Sequence, residues 1–164
     1  MKKIVLLSLA ILCSFNFYAQ SIPEALDEMK TIIKEINGTQ VDQLKKLKKE
    51  LSQFSRNSSN RKKRQGATRV KNTTLSLIQN MNVSYYKAKR LEKFFTSHNM
   101  RRTTDFAEIY ITGFGSMIYA AKYLVEQCNS LIKRPKNHRD VRKTYNTIVT
   151  KLREMKSDYD NYDN

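Results

Sequence analysis

Apolar residues recur every three to four positions along most of this chain, the spacing of one face of an α-helix. The first such face begins at Ile22 and continues past Gly38 in nearly the same phase. Two later segments, at about 73–97 and 141–162, alternate spacings of three and four as in a coiled coil. The apolar positions of the three faces are Ile22, Leu26, Met29, Ile33, Ile36, Leu44, Leu47, Leu51 and Phe54; Leu75, Ile78, Met81, Tyr85, Ala88, Leu91 and Phe95; and Val141, Tyr145, Ile148, Leu152, Met155, Tyr159 and Tyr162.

Glycine, proline and capping residues divide this pattern into separate helices. Ser21, Pro23 and Glu24 form the signature of a capping box, with proline in the first turn. Asn37 and Gly38 predict a stop between two N-terminal helices, while the unbroken phase leaves open one long helix bent at Gly38. Turns are predicted at 98–102 and at 134–137.

A fourth helix is predicted from Thr104 or Asp105 to about Lys133, with apolar residues around almost its whole circumference. A helix of this kind is normally the central one of a bundle. We therefore predict an all-α fold, an elongated antiparallel helical bundle with three long helices and one or two shorter N-terminal helices. Membrane insertion of 109–125 is a weaker alternative, because Lys122 and two glycines interrupt a run that is already short for a span.

The first nineteen residues have the composition of a signal peptide. Lys2 and Lys3 precede an apolar stretch at 4–15, and Ala19 offers a small residue for cleavage. This predicts export to the periplasm, the cell surface or the medium, and leaves 20–164 as a single helical domain. The alternatives are lipid attachment at Cys13, which the bulky Leu12 disfavours, and a retained membrane anchor.

Removal of residues 1–19 changes the charge balance and the cysteine count. With two of the 31 basic residues gone, 29 remain against 15 acidic ones, a net charge of +14. So basic a protein favours anionic partners such as nucleic acid, lipopolysaccharide, anionic lipid or acidic proteins. Cys128 is then the only cysteine, so an internal disulfide is excluded. A buried inert thiol, an intermolecular disulfide and a catalytic thiol are the three interpretations of Cys128.

The segment 55–71 breaks the apolar pattern, with seven basic residues and no acidic one. Its composition predicts a mobile loop. Five of its residues are candidates for binding a polyanion: Arg61, Lys62, Lys63, Arg64 and Arg69. At about 1 kcal/mol for each cation near an anionic surface, they would together provide about 5 kcal/mol, a dissociation constant of about 0.2 mM. A solvated linker with no binding role is the competing interpretation.

The chain contains no phosphate-binding glycine loop, nucleophile elbow or HExxH motif. His98 and His138 have no metal-ligand spacing to Cys, Asp or Glu. We therefore predict a non-enzymatic protein without cofactor, metal or small-molecule substrate, although an enzyme with an unrecognised site stays a third hypothesis. Candidates for a protein interface or for self-association are Tyr119, Tyr123, Tyr145 and Tyr159. Core packing is the alternative for Tyr119 and Tyr123.

Residues 110–131, YITGFGSMIYAAKYLVEQCNSL, are followed by the tyrosine-bearing helix at 145–159. Together with a signal peptide of the Bacteroidetes type, this C-terminal half resembles small exported proteins of conjugative elements, in the helical pilus-associated family of type IV secretion systems. The resemblance implies a non-enzymatic role in pilus assembly or recipient contact. It assigns no function to any individual residue.

Overall fold

The computed structural model describes residues 20–52, 59–135 and 139–163, and within these ranges every element is helical and no strand occurs. The α-helices are α1 (Ile22–Glu35), α2 (Val41–Ser52), α3 (Asn60–Ser97), α4 (Arg101–Lys133) and α5 (Arg139–Asp163). The prediction of an all-α fold is therefore confirmed for the described residues. The predicted signal peptide, residues 1–19, lies outside them.

The N-terminal segment is one continuous helix, because a π-helical turn (Ile36–Gln40) joins α1 to α2. The predicted stop at Asn37 and Gly38 is therefore wrong. The buried positions Ile36, Gln40 and Leu44 are separated by two successive steps of four. In an α-helix four residues make slightly more than one turn, so two such steps would move the third side chain off the buried face. A π turn holds more residues, and it therefore keeps all three side chains on that face.

The capping box at the start of α1 is confirmed. The Ser21 hydroxyl accepts from the Glu24 amide at 3.4 Å, and the Glu24 carboxylate accepts from the Ser21 amide at 2.8 Å. The Ser21 amide and hydroxyl hydrogen bonds lower the pKa of Glu24, since both favour its charged form.

Residues 60–71 form the first turns of α3, so the predicted mobile loop at 55–71 is wrong for this part. Ser59 caps the helix, and its hydroxyl accepts from the Lys62 amide at 3.4 Å. Residues 53–58 lie outside the description. Gly66, Ala67 and Val70 are buried, and their small size explains why no apolar pattern was evident there.

The buried face of α3 alternates spacings of three and four over its whole length. Its positions are Ala67, Val70, Thr74, Leu77, Met81, Ser84, Ala88, Leu91 and Phe95, none more than 1% exposed. The Thr74 hydroxyl donates to the Val70 carbonyl of its own helix at 2.7 Å, and the Ser84 hydroxyl has the Glu35 carboxylate at 3.1 Å and the Asn80 carbonyl at 3.3 Å as acceptors. Both can therefore be buried without loss of hydrogen bonding. The predicted face was out of phase at its start, since Leu75 is 45% exposed.

Helix α4 has a buried face with the same spacing, and it packs against both α3 and α5. Its positions are Ala107, Tyr110, Phe114, Met117, Ala121, Leu124, Cys128 and Leu131. The α3–α4 interface is the most extensive one, and α3 also contacts α1 and α2. The central position predicted for α4 is therefore shared with α3. The predicted cap at Thr104 or Asp105 is also wrong, because α4 begins at Arg101.

The pattern predicted for α5 is confirmed as far as its side chains are described. Val141, Tyr145 and Ile148 are buried and Leu152 is partly buried. The side chains of Met155, Tyr159 and Tyr162 lie outside the description. No helix of the described ranges is both long enough and apolar enough to cross a membrane.

Candidate functional site

Side-chain hydrogen bonds and ion pairs between helices define two regions along the bundle. In the first, Gln43 and Glu50 of α2 bond to Ser76 and Thr73 of α3 at 3.1 and 3.0 Å. Two further contacts join α4 to α5 and α5 to α2: Thr144 donates to Gln127 at 2.8 Å, and the Tyr145 hydroxyl donates to the Leu44 carbonyl at 3.3 Å. Lys71 of α3 lies near enough to Cys128 of α4 to act on its thiol.

We call this region the basic half, defined as residues 42–52, 59–78, 122–135 and 141–149. It contains fifteen Lys or Arg residues against three Asp or Glu residues, a net charge of +12. The basic residues are Lys45, Lys46, Lys48, Lys49, Arg61, Lys62, Lys63, Arg64, Arg69, Lys71, Lys122, Lys133, Arg134, Arg142 and Lys143.

The remaining residues with described side chains form the balanced half, at 20–41, 79–121 and 150–154. It contains ten basic and eight acidic residues, a net charge of +2. Two of its ion pairs join α1 to α3: Arg90 with Glu28, and Lys87 with Glu35, the last residue of α1, at 2.8 Å. The charge of the described chain is therefore concentrated almost entirely in the basic half.

The four consecutive cations Arg61, Lys62, Lys63 and Arg64, which we call the tetrad, lie in the first two turns of α3. Lys63 is half-buried and the other three are exposed. None of the four forms an ion pair or a side-chain hydrogen bond to another described residue. A helix N-terminus carries partial positive charge, so cations are unfavourable there and a bound anion would be stabilised.

The fifth candidate, Arg69, is exposed two turns further along α3. It is seven residues beyond Lys62, so the two lie on the same side of the helix. Arg61 and Arg64, three residues apart, share another side. The four exposed candidates are thus held on a helix in a fixed spacing, on two of its sides, and the half-buried Lys63 lies on neither.

The tyrosine candidates divide into exposed and buried residues. Tyr119 and Tyr123 of α4 are 78% and 52% exposed, so core packing is the wrong explanation for them. Tyr145 is 8% exposed and bonds to α2, so its proposed place in an interface is wrong. The side chain of Tyr159 lies outside the description. Leu75, which was predicted for the buried face, and Tyr86 are also exposed on α3.

Cys128 is fully buried and has no disulfide. Burial raises the pKa of its thiol to about 12, against a smaller lowering by the Lys71 ammonium. Because the thiolate is the nucleophile and the metal ligand, the protonated buried thiol is unsuited to either role. Among the described residues, no group of three His, Cys, Asp or Glu side chains could hold a metal ion.

Two open grooves follow the α4–α5 interface. The larger, of about 610 Å³, belongs to the basic half and is lined by Tyr123, Gln127, Lys133, Arg134 and Val141 among others. The smaller, of about 340 Å³, is lined by three carboxylates and one lysine: Asp105, Glu108, Glu154 and Lys151. Lys151 forms an ion pair with Glu154 at 2.6 Å, so the remaining acidic groups set the charge of this groove.

No protein-family model, curated protein or solved structure matches this chain.

Proposed function

We propose that the protein is exported and non-enzymatic, and that it attaches to polyanions through the basic half of an elongated antiparallel bundle. The observation that carries this proposal is the segregation of charge, with a net +12 in one half and +2 in the other. A large field of one sign attracts oppositely charged polymers and guides their approach. The balanced half is then free to remain outside the complex.

The antiparallel arrangement is supported by which residues meet. Glu28 pairs with Arg90 and Glu50 bonds to Thr73, so later residues of the N-terminal helix meet earlier residues of α3. A three-residue turn, in which Asn99 has a φ of 55°, connects α3 to α4. Helices joined by so short a connection normally run in opposite directions.

The tetrad is the part of the basic half most suited to an anion. Its cations have no acidic partner among the described residues, so binding would not first require an ion pair to break. The amides of the first helical turn point toward the same end of α3, and they favour an anion there.

The proposal is tested by measuring retention on heparin and on duplex DNA as a function of salt concentration. The tetrad variant replaces Arg61, Lys62, Lys63 and Arg64 with Gln. The control variant replaces four exposed cations of the balanced half with Gln and removes the same charge: Lys34, Lys93, Arg101 and Arg153.

We expect the tetrad variant to elute at much lower salt than the wild type, and the control variant to elute close to it. If all four cations contact phosphates, the slope of log K against log salt on DNA should fall by about 3 to 4. Equal loss in both variants would mean that net charge alone governs retention. Unchanged retention of the tetrad variant would refute the proposal.

Export is tested separately by the mass of the protein recovered outside the cytosol. Cleavage after Ala19 predicts a mature chain that begins at Gln20 and contains 145 of the 164 residues. A recovered chain that keeps residues 1–19, or one lipidated at Cys13, would contradict the proposed processing.

Exposed tyrosines support a second function, contact with a protein partner. Tyr119 and Tyr123 are one turn apart on α4, and tyrosine is favoured in protein interfaces. From the resemblance to pilus-associated proteins, we propose that this contact occurs in the conjugation apparatus. Deletion of the gene should then lower transfer of a conjugative element, and a Tyr119→Ser, Tyr123→Ser variant should not restore it. Full restoration by that variant would exclude these tyrosines from the contact.

A further inference from the structure

The larger groove contains four kinds of chemical group, which are spread along α4 from Tyr123 to Arg134, about 16 Å. Leu131 and Val141, 3% and 2% exposed, provide its apolar floor. The half-exposed ring of Tyr123 lies about two turns before Leu131, and Lys133 and Arg134 lie at the end of α4. A volume of about 610 Å³ is within the range of small-ligand sites.

The polar side chain in the middle of this groove has a defined orientation. Thr144 of α5, itself 7% exposed, donates its hydroxyl to Gln127 Oε1 at 2.8 Å. Because this bond occupies the oxygen, Gln127 Nε2 is left as a donor, and it bonds to no other described residue. Glu126, the preceding residue of α4, adds an acceptor to the same lining.

These groups match the parts of an acidic sugar. The C–H face of a sugar ring packs on an aromatic ring, and its hydroxyls bond to an amide donor and a carboxylate acceptor. A carboxylate, sulfate or phosphate substituent pairs with lysine and arginine. We propose that this groove binds a short segment of a polyanionic glycan, with one sugar ring on Tyr123 and the acidic substituent of a sugar further along the chain on Lys133 and Arg134, an inference that rests on the proposed polyanion binding and names its partner.

Nucleic acid fits the groove less well. Proteins that bind single strands place several aromatic rings in succession along a channel. Only Tyr123 provides a ring in the described lining of this groove. Glu126 would repel a phosphodiester at this point, whereas it can accept a hydrogen bond from a sugar hydroxyl. The described lining of the smaller groove has three carboxylates and no ring, so an acidic sugar is not expected there.

The test measures binding of a heparin-derived tetrasaccharide to the full chain by calorimetry, with a neutral tetrasaccharide and a short oligothymidylate for comparison. Tyr123→Ala removes the ring, and Tyr123→Phe keeps it. Tyr119→Ala is the matched control, since this tyrosine lies one turn away, is 78% exposed and is not part of either groove. Arg134→Gln removes one of the two cations.

We expect Tyr123→Ala to weaken tetrasaccharide binding about tenfold, the usual size of a lost stacking contact. Arg134→Gln should weaken it several-fold, while Tyr123→Phe and Tyr119→Ala should stay within about twofold of the wild type. An unchanged affinity for the tetrasaccharide after removal of the Tyr123 ring would overturn the inference. So would equal affinity for the neutral sugar, or a Tyr123-dependent preference for the oligonucleotide.

The two proposals fail in different ways. If the tetrad variant loses retention on long polyanions while Tyr123→Ala has no effect on the tetrasaccharide, polyanion binding stands and the saccharide site is wrong. If tetrad neutralisation changes nothing while the tetrasaccharide still binds in a Tyr123-dependent manner, the proposed role of the tetrad is wrong instead.

Discussion

The basic half and the balanced half share one packing pattern, but most buried aromatic rings lie in the balanced half, while leucine, isoleucine and valine fill most of the core of the basic half. In the balanced half the core contains large side chains such as Phe95, Phe114 and Met117. In the basic half the corresponding positions of α3 hold Ala67, Val70 and Thr74. The early turns of α3, where the surface charge is highest, therefore contribute small side chains, while Leu47, Leu124 and Ile148 of the neighbouring helices fill the core there.

This difference indicates that the two halves of the bundle have different roles. Burial of apolar side chains is the main favourable term in folding, and both halves provide it, the balanced half with the larger aromatic side chains. The basic half also has the self-repulsion of its surface cations, which lowers its stability. Its charge is better explained by binding than by folding, and three predictions test the comparison.

The largest expected effect is a cavity in the balanced half. Phe114 is fully buried, and Phe114→Ala should lower the free energy of unfolding by about 3–5 kcal/mol. Val70→Ala, at an equally buried position of the basic half, should lower it by only about 2 kcal/mol. Urea denaturation measures both. An equal or larger loss for Val70→Ala would contradict the proposed difference between the two cores.

The second effect is a loss of stability at alkaline pH through Cys128. Burial raises the pKa of this thiol to about 12 from 9.0, so between these values the unfolded chain releases a proton that the folded chain retains. Stability is therefore unaffected below about pH 9 and falls as pH rises toward 12, by about 1.4 kcal/mol for each unit. Burial also raises the pKa of Tyr145, which acts in the same direction.

Comparison with Cys128→Ala isolates the thiol, since the contribution of Tyr145 is common to both proteins. Between pH 8.5 and 10.5 the wild type should lose about 2 kcal/mol more stability than the variant, by urea denaturation. Native Cys128 should also react with a thiol reagent only as fast as the chain unfolds. Identical pH profiles for the two proteins would show that the thiol is not buried in solution.

The α5 pattern could be predicted because large apolar residues occupy its buried positions as far as Leu152. The phase of α3 could be predicted from Ile78 to Phe95, where the predicted positions are buried or partly buried. It could not be predicted before Ile78, because Ala67 and Thr74 occupy core positions and are not conspicuous in a sequence. Hydroxyl groups bonded to their own helix remove the usual cost of burial. The same small residues led to the interpretation of 60–71 as a loop.

The basic tetrad was evident from sequence, whereas the charge segregation was not. Recognising the basic half requires knowing which parts of four helices lie together, as Leu44 and Tyr145 do across 101 residues. The saccharide groove depends on the same information, since Gln127 and Thr144 orient each other across two helices. Exposure of Tyr123 likewise follows from packing, because its helix is apolar on nearly every side.

The smallest expected effect is a gain in stability when the tetrad is neutralised. Four cations at the start of α3 repel one another and oppose the helix dipole, so replacing them with Gln should raise the free energy of unfolding by about 1 kcal/mol. Added salt screens this repulsion and should stabilise the wild type more than the tetrad variant. The balanced-half control, Lys34, Lys93, Arg101 and Arg153 to Gln, should show no such gain, because acidic residues offset its cations. Denaturation at low and high salt measures all three proteins. Equal gains in both variants would place the repulsion in the whole chain rather than in the basic half, and a loss of stability in the tetrad variant would mean that these cations serve the fold.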